Sequence, residues 1–79
     1  MSKKDKLIQK IFANAQISYE DAESILLSLG FAYTVTGSHH VFRKLGYFRN
    51  ITLKKRSQLL TYQIKMLKEV LIYHGYLQN

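Results

Sequence analysis

The period of the apolar residues changes twice along the chain, and this limits which elements it can build. Leu7, Ile8, Ile11, Phe12 and Ala15 recur at helical spacing, so Lys3 to Ala15 reads as a helix with one buried stripe. Asn14 to Ile17 reads as a break. Ser18 suits the N-cap of a second helix, with Glu20 and Asp21 in its first turn. Ala22, Ile25, Leu26 and Leu29 follow the i, i+3, i+4, i+7 pattern, and Gly30 is placed to end that helix. From Phe31 the period drops to two. Phe31, Tyr33 and Val35 alternate with Ala32, Thr34 and Thr36, which predicts a strand. Gly37-Ser38 is a turn signal, so His39 to Lys44 is expected to return as a second strand. Gly46 marks another turn and Asn50 to Lys54 a third strand. A basic run, Lys54-Lys55-Arg56, leads to Ser57, a candidate N-cap. Helical spacing then resumes from about Gln58 to His74, with Leu60, Ile64, Leu67 and Leu71 on a narrow arc. Leu59, Met66 and Val70 widen that face, and Gly75 is a stop.

Helix, helix, three short strands, helix is an α+β order. Short turns predict an antiparallel meander, and the helices are the only material available to cover one of its faces. With 79 residues there is room for one compact domain, which at this size buries only about 60% of its unfolded surface. No cysteine is present, so neither disulfides nor thiolate metal sites can reinforce it. No stretch resembles a signal peptide, because the first apolar cluster is interrupted by Gln9 and Lys10. No run approaches the ~18 apolar residues of a membrane span. The expectation is a soluble cytoplasmic protein with no membrane partner.

Twelve Lys and Arg against five Asp and Glu give a net charge of +7, a field that favours polyanions. Nucleic acid is the first partner to consider, although an anionic membrane or an acidic protein fits the charge equally well. The chemistry concentrates in Gly37 to Lys44. Histidine can donate or accept a proton near neutral pH, and Arg43 and Lys44 can hold a phosphate. RNA supplies its own nucleophile, the 2′-hydroxyl, so one histidine and cationic neighbours suffice in principle for cleavage. Successive strand residues point to opposite faces, so His39 and His40 cannot both serve one site directly, and a metal site built on the pair is disfavoured. The alternative for each is a structural or merely exposed histidine. His74 fits the last turn of a helix, where partial positive charge is favourable. Tyr33, Phe42, Tyr47 and Phe48 are able to stack on bases but fit core or sheet packing better. The Lys54 to Arg56 run is either a solvated loop or a phosphate clamp. There is no Walker-type loop and no HExxH. The acidic residues Asp5, Glu20, Asp21, Glu23 and Glu69 all lie outside the predicted strands, which argues against a carboxylate-metal nuclease.

The segment Gly37-Ser38-His39-His40-Val41-Phe42-Arg43-Lys44 resembles the strand motif of HicA-type messenger-RNA interferases, toxins of bacterial toxin–antitoxin pairs. Leu29-Gly30-Phe31 resembles the family's passage from first helix to first strand. Asn50-Ile51-Thr52-Leu53 resembles its third strand, and Tyr62-Gln63-Ile64-Lys65 the opening of its last helix. The similarity covers roughly Ser18 to Gly75. It departs at Lys44-Leu45, where many members have His-Pro, and at Lys54-Lys55, where many have Pro and His. The resemblance implies an α-β-β-β-α fold similar to double-stranded-RNA-binding domains, with the helix in about residues 1–16 as an extension. It implies an endoribonuclease that cleaves mRNA without metal or other cofactor. His39 would be the catalytic residue and His40 the second candidate. Ser38, Arg43, Lys44, Lys54, Lys55 and Arg56 would contact RNA. A HicB-type antitoxin would be the protein partner. The other reading of the same fold is a non-catalytic RNA-binding module.

Overall fold

The computed structural model describes residues 2–55 and 58–76. Helix α1 (Lys3–Phe12) and helix α2 (Tyr19–Ser28) are followed by strands β1 (Ala32–Thr36), β2 (His39–Arg43) and β3 (Ile51–Lys54) and by helix α3 (Thr61–Tyr73). The architecture is α+β, with a three-stranded antiparallel sheet in the order β1-β2-β3.

Local chemistry explains most of the boundaries. The hydroxyls of Ser2 and Ser18 each accept the N–H three residues on, from Asp5 and Asp21, both at 3.1 Å. These caps satisfy donors that the first helical turn leaves open. Helix α1 stops at Phe12, short of the predicted Ala15, because Asn14 takes a left-handed φ of 58°. Gly30, at φ 96°, ends α2 and lets the Phe31 N–H return to the Leu26 carbonyl at 3.1 Å.

The start of α3 differs from expectation. Ser57, the candidate cap, lies outside the described residues, and the helix begins at Thr61 rather than near Gln58. Leu59 is instead buried, and its N–H donates to the Ile17 carbonyl at 2.9 Å, tying this segment to the link between α1 and α2. Leu60 becomes the N-cap, with extended backbone, and its N–H donates to Gln63 Oε1 at 2.8 Å.

Cross-strand partners share a face, so the register sorts the sheet into two sides. Tyr33, Val35, His40, Phe42, Ile51 and Leu53 face the helices, while Thr34, Thr36, His39, Val41, Arg43, Thr52 and Lys54 face away. Phe42, Ile51 and Leu53 are fully buried and belong to one core with Leu67, Val70 and Leu71 of α3 and Ile25 and Leu26 of α2. Helix α1 contributes Leu7, Ile8, Ile11 and Phe12 to the same core, so it is part of the domain's interior rather than an appendage. The helices do not reach across β1, all five of whose residues are exposed, including Tyr33 and Val35 on the helix-facing side.

Lys44 joins the far end of the sheet to two helix ends. Its ammonium donates to the Leu29 carbonyl at 2.6 Å and to His74 Nε2 at 2.8 Å. His74 Nδ1 in turn donates to the Val70 carbonyl at 2.7 Å. His74 is the C-cap residue of α3, as its place in the last turn predicts, and the Lys44 ammonium sets a positive charge beside these helix ends.

Candidate active site

A groove of about 470 Å³ opens between the outward face of the sheet at β3 and the first turns of α3. Its walls are His39, Asn50, Thr52 and Lys54 on the sheet side and Leu60, Tyr62, Gln63 and Met66 on the helix side. Among the described residues, no acidic side chain lines it.

His39 is positioned by the hairpin. Thr36 pairs with His39, so Gly37 and Ser38 form a two-residue turn, and Gly37 carries the positive φ (61°) that such turns require. His39 is the first residue of β2 and lies opposite Lys54 of β3, which sets an exposed imidazole and an exposed ammonium on the same side of the sheet. Thr52 lies on the same side, two residues before Lys54.

His40 is turned the other way. It is half-buried against the rings of Tyr19 and Tyr33, with centroids 4.8 and 5.4 Å away. Its Nδ1 is buried without a hydrogen-bond partner, as is the Tyr19 hydroxyl. Burial pushes the Tyr19 hydroxyl well above the usual tyrosine range, and the negative charge of Glu23 adds to the effect. Tyr47, whose hydroxyl is also buried and unpartnered, is pushed upward by burial too, with Glu69 reinforcing and Arg49 opposing.

The other RNA-contact residues expected from sequence are dispersed. Ser38 sits in the hairpin turn beside His39 and is exposed. Arg43 is on the outward face, but four residues along an extended strand separate it from His39 by roughly 13 Å of backbone; its Nη1 donates to Thr34 Oγ1 at 3.3 Å. Lys44 is not brought to the groove, because its ammonium is held at the ends of α2 and α3. Lys55 is exposed just beyond β3. Arg56 lies outside the described residues.

The sequence reading missed Thr52, Tyr62 and Gln63 as groove residues. Thr52 shares the parity of Lys54, so alternation alone places it on the same face. In the sequence Tyr62 and Gln63 read as the opening of a helix, and nothing local indicates that this opening meets His39. Among the described residues no group of three or more His, Asp or Glu is arranged to hold a metal ion. No helix among them is long and apolar enough to cross a membrane. Compared with known protein families, with curated proteins and with solved structures, the chain matches none.

Proposed function

We propose that the chain is an endoribonuclease that cuts messenger RNA without a metal ion, with His39 as the residue that moves the proton. The observation that carries this reading is the contrast between the two histidines. His39 is exposed in a groove that holds a lysine and no carboxylate, whereas His40 packs between tyrosines. In the reaction, the imidazole of His39 takes the proton of a ribose 2′-hydroxyl. The resulting oxyanion attacks the adjacent phosphorus, and the 5′-oxygen of the next nucleotide leaves, taking a proton from water while the His39 imidazolium returns its own to solvent. The product is a 2′,3′-cyclic phosphate. The Lys54 ammonium offsets the charge that builds on the phosphoryl oxygens. Ser38 holds the turn that aims His39. Lys55 and Arg43, both exposed, would contact flanking phosphates, whereas the Lys44 ammonium is held at the ends of α2 and α3.

By its resemblance to HicA proteins the chain is a cytoplasmic toxin, and its partner is a HicB-type antitoxin that covers the groove. An acidic partner surface would complement the +7 charge and accelerate association. The test is cleavage of single-stranded RNA in excess chelator. Wild type and His40→Ala should cut and leave cyclic-phosphate ends. His39→Ala should lose activity by at least about a hundredfold, within the range of general acid–base catalysis, while keeping its fold. Equal cleavage by His39→Ala and wild type would sink the proposal. RNA binding with no cleavage by wild type would favour the non-catalytic module.

A further inference from the structure

We infer that the groove is a nucleotide site in which the first turn of α3 and Lys54 hold a phosphate and the ring of Tyr62 carries the neighbouring unpaired base. The identity of the ligand as RNA rests on the ribonuclease reading; the site itself rests on three observations.

The first is a set of unused donors. Helix α3 is 13 residues long, and its N-cap, Leu60, has no side-chain acceptor. The Gln63 and Ile64 N–H groups bond to the Leu60 carbonyl, but those of Thr61 and Tyr62 bond to no group among the described residues. Two N–H groups without a partner among the described residues, at the positive end of a helix dipole, favour an anion.

The second is Gln63. It is only 3% exposed, yet it lines the groove. The Leu60 N–H holds its Oε1 at 2.8 Å, which fixes which end of the carboxamide is oxygen. The Nε2 hydrogens at the other end have no acceptor among the described residues. A buried amide is thus oriented by one end, while its donor end is left for whatever enters the groove. Lys54 supplies the full positive charge from the opposite wall.

The third is Tyr62, which is 59% exposed, borders the groove, and is in ring contact with no aromatic side chain among the described residues. A base in a duplex is already stacked on both faces, so an open ring of this kind selects a nucleotide whose base is free. Phosphate on the helix end and base on the adjacent ring make the site specific for a single-stranded nucleotide unit. Gln63 acts here as a positioning and binding residue, and Tyr62 as a binding residue.

The test uses the full chain carrying His39→Ala, titrated with adenosine 5′-monophosphate, adenosine and inorganic phosphate, and followed by amide NMR. The monophosphate should shift the Thr61 and Tyr62 amides and the Gln63 side-chain amide, and should bind at least about tenfold more tightly than adenosine or phosphate alone. Tyr62→Ala should weaken the monophosphate on the order of tenfold, the scale of one base–aromatic stack, and leave phosphate unchanged; Tyr62→Phe should retain binding. Gln63→Glu keeps an acceptor for the Leu60 N–H but replaces the donor with a carboxylate, so it should abolish phosphate binding in a folded chain. The inference is overturned if the shifts map elsewhere, if phosphate alone binds as tightly as the monophosphate, or if Tyr62→Ala and Gln63→Glu bind as wild type does. RNA cleavage is scored separately on wild type. Nucleotide binding without cleavage supports the site while removing the ribonuclease reading, whereas cleavage with no shift at residues 61–63 overturns the site alone.

Discussion

Tyr19 and His40 pack ring against ring, and each leaves a polar atom buried without a partner. An unsatisfied buried hydroxyl costs stability, so Tyr19→Phe, which keeps the ring and its contacts, should leave the fold unchanged or stabilise it by up to about 1 kcal/mol in urea unfolding. The same residue governs behaviour in alkali. Tyr19 and Tyr47 hold their protons more tightly folded than unfolded, because burial penalises the phenolate. The folded state therefore binds more protons, and stability is complete below about pH 10 and falls as the pH rises beyond it. Urea midpoints measured across that range should fall for wild type and fall less for Tyr19→Phe. A steeper fall in the variant would contradict burial as the cause. His40→Ala, by contrast, should affect packing and spare the outward face.

Lys44 is the side chain through which three elements meet, since it extends from the end of β2 to the ends of α2 and α3. Lys44→Met keeps much of the aliphatic stem and removes both hydrogen bonds. It should cost about 1–2 kcal/mol, somewhat below the usual range for two charged hydrogen bonds because the site is only half-buried. It should leave RNA cleavage at low temperature intact; a large loss of activity with normal stability would return Lys44 to the phosphate-binding set. The sequence contained the order of elements, the Ser18 cap, the Gly30 stop and the hairpin, because each is written within a few residues. It did not contain the start of α3, which comes after Leu59, a residue buried in the core and bonded to the distant Ile17. Nor did it distinguish Lys44 from Arg43, adjacent cations whose difference is set by the distant Leu29 and His74. The outward placement of His39 followed from alternation, but the helix wall of the groove depends on a tertiary approach that no local pattern encodes.

At the scale of the molecule, α1 matters more than its place at the start of the chain suggests. Four of its residues are buried in the shared core, and a domain of this size has little stability to spare. Removal of residues 1–14 should abolish cooperative thermal unfolding; a truncated chain that melts cooperatively near the wild-type temperature would show α1 to be dispensable. The +7 charge should make RNA binding by the His39→Ala chain strongly salt-dependent. Each lost phosphate contact lowers the log–log slope by about 0.7 for a single strand, so Lys54→Ala should do so by that amount and Lys44→Met should not. The two sides of the sheet have a further consequence for how such a chain can change over time. Along His39-His40-Val41-Phe42-Arg43, odd-numbered positions address the solvent side and even-numbered ones the interior. Substitutions at 39, 41 or 43 can therefore retune the chemistry with little disturbance of folding. A one-residue slip of β2 against its neighbours exchanges the two sets, exposing Phe42 and withdrawing His39 together. Such a lineage can vary its letters freely on one side, but it cannot vary its spacing.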